Sequence, residues 1–376
     1  MTTPSHPVHD RIPSLDGLRA VAIGLVILSH RALAGAVPPI VSHVLEYIQP
    51  GVIGVRLFFI LSGFLITTLL IGELDRSGDI SLKRFYLRRT LRLFPPLAVY
   101  IAVLLILAAA GLVRLMPGDV AHALTYASNF HLANESWYVG HTWSLSIEEQ
   151  FYLLWPAALL LAKPRRARWI AVGILFAGPL IKLTMWATTP PEAQDSIAST
   201  FRSVADTLAA GCALALLRPR LHTMPAYKRA LESPLLWLAP AFALVLWSAL
   251  GHWRLAMGTQ LISIVLFTVW IDRLATVQDA GARLLNAKPV AWLGRISYSI
   301  YLWQQLFTAP RAIDPWQSLP ITSGALRYLS IFVVAVLSFY LVERPSLRLR
   351  QRVEQLFLGR TMPLASKQLA EQVAAV

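Results

Sequence analysis

Ten apolar segments, each long enough to cross a lipid bilayer, follow one another along the chain. A helix needs about 20 mostly apolar residues to span the hydrocarbon core. The sequence predicts an all-α integral membrane protein with about ten transmembrane helices, the first of them retained rather than cleaved. The segments are 16–34, 51–71, 86–111, 144–162, 169–187, 200–217, 234–250, 254–272, 291–309 and 323–342.

Composition and charge agree with a membrane protein. Hydrophobic residues make up 56% and charged residues 14% of the 376 residues, against about 45–50% and about 25% in soluble domains. The formal net charge is +14, but the bases fall in short clusters between apolar segments. Nucleic acid, which needs a single basic patch, is therefore not expected as a partner.

The positions of Lys and Arg predict the orientation, because cytoplasmic loops are enriched in these residues. Most of the 34 bases fall on one side of the predicted spans. We therefore expect a multi-pass protein of the inner (plasma) membrane with both termini cytoplasmic. Residues 1–15 form a cytoplasmic segment, 16–346 the membrane domain, and 347–376 a basic, amphipathic cytoplasmic tail. The longest outer segment, 112–143, carries Trp137, Tyr138 and Trp143, aromatic residues suited to the membrane interface.

Ionisable residues inside the predicted spans point to a site, because they are costly in lipid. Arg19 and His30 are eleven residues apart, which places them within about 20° of one helix face and about 16 Å apart along it. Glu148 and Glu149 share the depth of His30 in the outer half of the membrane. One carboxylate would orient the imidazole as a base. We favour Glu149, although the spacing leaves both glutamates open. The spacing also leaves open that Arg19 is a topological anchor and that His30 is an interfacial histidine.

Other intramembrane charges have simpler interpretations. Arg89 and Arg92, at positions i and i+3, form a clamp suited to phosphate near the inner face, or a plain cytoplasmic anchor. Arg202 and Asp206, at i and i+4, are expected to pair, and Lys182 is expected to extend towards the interface. The single cysteine, Cys212, permits no internal disulfide, and no metal site is expected.

Several motifs resemble those of the membrane-bound acyltransferase 3 family, in the same order along the chain. The matching segments are Ser14-Leu-Asp-Gly-Leu-Arg19 followed by His30, residues 51–66, Phe85–Pro95 with Arg89 and Arg92, Trp143-Ser-Leu-Ser-Ile-Glu-Glu149, Gly294–Trp303, and Glu343-Arg-Pro345. The resemblance implies O-acylation of a sugar hydroxyl by acyl-CoA, most often acetyl-CoA, supplied from the cytosol. The implied acceptors are a cell-surface polysaccharide, a lipid-linked saccharide or a macrolide.

Residue roles follow from this resemblance. His30, Glu149 and Glu148 are the expected catalytic residues. Arg19, Arg89 and Arg92 are expected to bind acyl-CoA. The expected supporting residues are Asp16, Trp143, Ser144, Tyr298 and Glu343, and the oxyanion candidates are Ser144, Ser146, Tyr152 and Tyr298.

Two departures from the family pattern stand out. Arg56 replaces an Asp that many relatives carry, and Gln304 replaces a His, so Gln304 is left off the catalytic set. The hydrolase-like domain fused to some members is not expected, so a separate transfer protein or a homodimer is left open. The alternative to acyl transfer is a polytopic transporter of a sugar or lipid-linked intermediate.

Overall fold

The computed structural model describes residues 12–33, 39–131, 135–249, 256–309, 314–349 and 353. Within these residues all regular secondary structure is helical, which agrees with the predicted all-α class. Residues 1–11 of the predicted N-terminal segment, and residues 350–352 and 354–376 of the predicted tail 347–376, lie outside the described residues.

The described residues form fifteen α-helices, with 3₁₀ turns at 128–130, 191–199, 234–238, 315–318 and 320–322. A π-helical turn, Phe339–Glu343, follows the last α-helix. The helices are α1 Pro13–Leu33, α2 Pro39–Ile48, α3 Pro50–Ser77, α4 Leu82–Ala109, α5 Asp119–Leu124, α6 Trp137–Gly140, α7 Thr142–Thr188, α8 Phe201–Leu221, α9 Pro225–Glu232, α10 Ala239–Ala249, α11 Ala256–Thr276, α12 Ala280–Leu285, α13 Lys288–Arg295, α14 Ser297–Thr308 and α15 Gly324–Ser338.

The described helices make this a multi-pass membrane protein. Six helical stretches are long and apolar enough to cross a bilayer, or up to seven if the bent pair Pro225–Glu232 and Pro234–Trp247 is one span. The total of ten spans and the side of the termini stay predictions.

Helix α7 contains a break near its middle. Its 47 residues would extend about 70 Å as one helix, more than twice the roughly 30 Å of a hydrocarbon core. Lys163 adopts φ 60° and ψ 156°, which is not helical, and Pro164 follows it. The break falls where the sequence predicts a turn between the spans 144–162 and 169–187.

Two predicted spans differ from the structure. The segment 291–309 is not one helix, because α13 ends at Arg295 and α14 begins at Ser297. The segment 234–250 begins as a 3₁₀ turn before α10, and its last residue, with the start of the next predicted span, lies outside the described residues.

Charged side chains lie inside the bundle within an apolar core, and apolar side chains also cover its outer surface. Arg19, Arg89 and Arg92 are 6%, 4% and 5% exposed, whereas Leu161 is 83% and Ile106 67% exposed. This distribution is typical of membrane proteins, in which apolar side chains face the lipid and charged side chains lie inside the bundle.

Small residues allow the closest helix contacts. A Cβ atom added to Gly63 on α3 would lie 2.1 Å from the carbonyl oxygen of Leu208, and one added to Gly211 on α8 would lie 2.1 Å from that of Ile60. Helices α3 and α8 therefore meet through a reciprocal pair of glycines, as is common in membrane bundles.

A buried ion pair corrects two predictions. Lys182 Nζ lies 2.5 Å from Asp206 Oδ2, and both side chains are buried. Lys182 therefore does not extend to the interface, and Asp206 has Lys182 rather than Arg202 as its ion-pair partner. The physical reason is that a carboxylate inside the bundle requires a buried cation. Arg56 ties α3 to α8 by donating to Ser203 O and Thr207 Oγ1 at 3.3 and 3.2 Å.

Candidate active site

A cavity of about 620 Å³, including its open mouth, lies among α1, α3, α4, α7 and α14. Its wall includes all three predicted donor-binding arginines, Arg19, Arg89 and Arg92. Arg89 and Arg92 lie about 10 and 15 Å along α4 from its first residue. Both side chains are buried in the bundle and face the cavity, and their position near the inner face of the membrane stays a prediction.

Arg89 has unused hydrogen-bonding capacity. Its guanidinium carbon lies 3.8 Å from the centre of the Tyr152 ring. Its Nε and Nη1 atoms are buried and have no hydrogen-bond partner among the described residues. Because an unsatisfied buried donor is costly, this side chain is suited to an anionic or strongly polar ligand in the cavity.

The two glutamates belong to the arginine cluster. Glu148 lines the cavity and accepts hydrogen bonds from Ser62 and Tyr152. Glu149 interacts electrostatically with Arg89 and Arg92. The sequence paired Glu149 with His30, and the structure does not. The rotation of α7 turns both carboxylates towards permanent cations, which compensate a buried negative charge better than a neutral imidazole does.

Three of the predicted supporting residues surround the same cluster. Glu343 lies on the π-helical turn, accepts a hydrogen bond from Ser299 Oγ at 2.9 Å, and interacts electrostatically with Arg92 and Arg19. Single π-helical turns are frequent at functional sites. Asp16 is buried beside Arg19, and Tyr298 donates to Leu93 O at 2.7 Å.

A layer of polar side chains closes the other end of the cavity. Ser144 Oγ and Tyr301 Oη lie 2.5 Å apart, and Tyr301 donates to the carbonyl oxygen of His141 at 3.0 Å. Both hydroxyls line the cavity. His141 interacts electrostatically with His30, so this layer is linked to His30 through His141.

His30 is half-buried near the end of α1, and a glutamine contacts it. Its Nδ1 atom lies 2.8 Å from Gln304 Oε1, and the edge of its ring packs against Trp137 with the ring centres 5.7 Å apart. Gln304 is fully buried. Gln304 departs from the family pattern and is not among the predicted catalytic residues, but in the structure it contacts the candidate base directly.

The role of α14 was readable in the sequence and was missed. Polar residues recur on this apolar helix at intervals of three and four, so they lie on one face. That face lines the cavity at one end and reaches His30 at the other. The residues are Ser297, Tyr298, Tyr301, Gln304, Gln305 and Thr308.

Comparison with known proteins decides the family. Residues 12–344 match the family model described as an acyltransferase domain. The chain belongs to the acyltransferase 3 family. Over 89% of its length it is 29% identical to the peptidoglycan O-acetyltransferase OatA of Listeria monocytogenes, of which the match covers 55%. It is 28% identical, again over 89%, to the O-acetyltransferase OatA of Staphylococcus aureus, of which the match covers 57%.

The chain thus spans about half the length of the curated relatives it matches. No solved structure matches it. The family resemblance that the motifs indicated is confirmed, and five of those motifs contribute residues to the cavity wall, among them Arg19, Arg89, Glu148 and Tyr298.

The remaining predicted residues lie around this region. Ser146 accepts a hydrogen bond from Ser128 N at 3.1 Å and donates to Thr142 O, so it holds the preceding segment in place. Trp143 packs edge-on against Phe59 with the ring centres 6.3 Å apart.

The aromatic residues before Trp143 were expected at the membrane interface, and the structure differs. Tyr138 is fully buried, and Trp137 packs over His30. Their inward position follows from the hydrogen bond that Tyr100 donates to Tyr138 O at 2.6 Å, which draws the segment into the bundle. No cluster of three His, Cys, Asp or Glu side chains in the described part of the chain is placed to hold a metal ion.

Proposed function

We propose that this membrane acyltransferase moves an acyl group, most simply acetyl, from acyl-CoA to a hydroxyl of a sugar-containing acceptor at the cell surface. The observation that carries the proposal is the cavity lined by three buried arginines, together with helix α14, which contributes Tyr301 to the cavity wall and places Gln304 on His30. The names of the relatives support acetyl transfer, and the Listeria relative supports a cell-wall glycan as the acceptor. The protein would act in the inner (plasma) membrane.

The arginine cluster would bind the phosphate groups of acyl-CoA. Arg19, Arg89 and Arg92 supply planar guanidinium groups, which bind phosphate by paired, charge-assisted hydrogen bonds. Glu148 and Glu343 interact with Arg19 and Arg92, whereas Arg89 keeps two buried guanidinium nitrogens without a hydrogen-bond partner among the described residues, and these favour an anionic ligand. Arg88 and Lys83, nearer the first turn of α4, extend the basic surface towards the side predicted to be cytosolic.

His30 would act as the general base. It takes the proton of the acceptor hydroxyl as that oxygen attacks the thioester carbonyl. The new C–O ester bond forms, the C–S bond breaks, and the proton passes from His30 to the departing CoA thiolate. Burial helps because water otherwise competes for the acyl group.

The hydroxyls of Ser144 and Tyr301, which line the cavity wall, would stabilise the negative charge that develops on the thioester oxygen. In the structure both reach the carbonyl oxygen of His141, at 3.1 and 3.0 Å, so each hydroxyl would have to turn its proton towards the thioester oxygen when the donor binds. Donors at such a position contribute about 3–4 kcal/mol in known acyl-transfer enzymes. Because the comparisons name acyltransferases, we propose chemistry in preference to the transport of a sugar or lipid-linked intermediate.

Proteoliposomes with acetyl-labelled acetyl-CoA test this function. A soluble peptidoglycan fragment and a set of oligosaccharides serve as acceptors, and ester-linked label is counted on each. We expect labelled acceptor with the wild type and with the control His43→Ala, whose side chain is exposed on α2. His30→Ala should lower the rate by about 10²–10⁴-fold. Movement of an unmodified saccharide across the membrane without labelling would contradict acyl transfer.

A further inference from the structure

A chain of hydrogen bonds links His30 to two glutamines of α14 and to the backbone of Trp137. Gln305 Nε2 donates to the backbone oxygen of Trp137 at 2.5 Å. Gln304 Nε2 donates to Gln305 Oε1 at 3.5 Å, and Gln304 Oε1 lies 2.8 Å from His30 Nδ1. Both glutamine side chains are almost fully buried, so their amide groups depend on these partners.

The start of this chain fixes the direction of every bond in it. A backbone carbonyl oxygen only accepts hydrogen bonds, so Gln305 must turn its NH₂ group towards Trp137 and its oxygen towards Gln304. Gln304 must then turn its NH₂ group towards Gln305 and its oxygen towards His30. An oxygen of this kind accepts, and therefore the Nδ1 atom of His30 must carry the proton.

The carbonyl group that starts the chain is itself held in place. Trp137 Nε1 donates to the backbone oxygen of Gln305 at 3.1 Å, so Trp137 and Gln305 bind each other reciprocally. The hydroxyl of Thr308 donates to the backbone oxygen of Gln304 at 3.0 Å and lies 3.3 Å from Gln304 Oε1. The orientation of the Gln304 amide, with its oxygen on His30, therefore follows from the bond to Gln305.

We propose that Gln304 and Gln305 are positioning residues that hold His30 in its Nδ1–H tautomer, so that Nε2 keeps the lone pair that accepts the substrate proton. This inference rests on the proposed role of His30 as general base. A neutral amide does this without adding a charge to the membrane interior, where an extra carboxylate would be costly. A reversed Gln304 amide would place NH₂ on Nδ1, move the proton to Nε2 and remove the base.

Three variants separate this role from simple packing. Gln304→Leu fills the same space but offers no acceptor, so we expect kcat to fall at least about tenfold with the KM for acetyl-CoA nearly unchanged. Gln304→Glu keeps an acceptor at Nδ1 but turns a second acceptor towards Gln305 Oε1, so it should recover only part of that loss. Gln305→Leu frees the Gln304 amide to rotate and should lower kcat, but much less so when combined with Gln304→Glu, since both carboxylate oxygens accept.

A readout without turnover distinguishes this proposal from the proposed function. Nitrogen NMR of protein labelled with ¹⁵N-histidine, in lipid nanodiscs, reports the tautomer, and subtraction of the His30→Ala spectrum identifies the His30 signals. We expect a protonated Nδ1 and an unprotonated Nε2 in the wild type, and a mixture in Gln304→Leu. A wild-type Nε2–H tautomer, or wild-type kcat in Gln304→Leu, would overturn the proposal. Full activity of His30→Ala would instead refute the general-base role on which it rests.

Discussion

At the residue scale, the interior contains two kinds of polar environment. Around the cavity, Arg19, Arg89 and Arg92 lie with Glu148, Glu149 and Glu343, so charges compensate charges. Around His30 the partners are a neutral amide and an aromatic ring. We therefore assign anion binding to the first environment and proton transfer to the second.

Removal of Arg89 should weaken donor binding. Charge-assisted hydrogen bonds contribute about 1.5–3 kcal/mol each, which corresponds to about 10–100-fold in affinity. We expect Arg89→Gln to raise the Kd for acetyl-CoA by that factor in calorimetric titrations of the purified protein in nanodiscs. Arg166→Gln, an exposed residue after the break in α7, is the matched control, and equal Kd values for the two variants would argue against the arginine cluster as the donor site.

The outer segment should make stability depend on pH. Burial, with a further contribution from the charge of Asp119, raises the pKa of Glu135 to about 8 from 4.5. The folded protein thus holds this proton over a range where the unfolded chain has released it. Its stabilising contribution is complete below about pH 4.5 and is lost as the pH rises through about 8.

Glu135→Gln mimics the protonated acid at every pH and tests this effect. We expect the Tm of the variant to match that of the wild type near pH 4.5 and to exceed it above about pH 8. Thermal unfolding in detergent, followed by tryptophan fluorescence, gives the difference at each pH. A difference that stays constant with pH would show that Glu135 titrates normally.

The identity of the site residues was predictable from the sequence, whereas their pairing was not. Arg19, His30, Arg89 and Glu149 are recognisable because ionisable residues are rare in apolar segments. Which of them touch depends on the rotation and depth of each helix. An error of one residue in the position of a helix rotates its side chains by about 100°. An error of this size is enough to predict Glu149 as the partner of His30 when the partner is Gln304.

At the element scale, the contact between α3 and α8 should be sensitive to added volume. Gly211→Ala would place a methyl group 2.1 Å from the oxygen of Ile60, so the helices must separate. Overpacking of this kind costs about 1–3 kcal/mol, and we expect a lower Tm with acyl-CoA affinity changed only secondarily. Gly173→Ala on α7, where the added Cβ meets nothing within 4 Å, should leave the Tm unchanged or slightly higher. A Gly211→Ala protein as stable as the wild type would contradict the tight contact.

Element boundaries were predictable where proline or a length limit marked them. Lys163-Pro164 marked the break in α7. The break at Ile296 between α13 and α14 has no such signal, because no proline follows it. It lies beside Gly294, which packs so closely on Asp16 of α1 that an added Cβ would lie 1.8 Å from its carbonyl oxygen. The break therefore coincides with the packing of α13 on α1, and the sequence carries no proline after it that would have predicted it.

At the scale of the whole molecule, the distribution of Lys and Arg predicts the membrane orientation. The only cysteine, Cys212, is fully buried. A maleimide should therefore not label the wild type, and single cysteines can be added as labelling sites. A membrane-impermeant maleimide should label Arg114→Cys from outside the cell and Arg166→Cys only in inverted vesicles. Labelling of both from the same side would refute the predicted topology.

The central claim is that one region binds the donor and a separate residue, His30, drives the transfer. Its most direct test is a single-turnover measurement that records acetyl-CoA binding and acceptor acetylation separately, on wild type, Arg89→Gln and His30→Ala. We predict that Arg89→Gln weakens binding and approaches the wild-type transfer rate at saturating donor, whereas His30→Ala binds normally and loses transfer by about 10²–10⁴-fold. Normal transfer by His30→Ala with the protein folded and the donor bound would contradict the account.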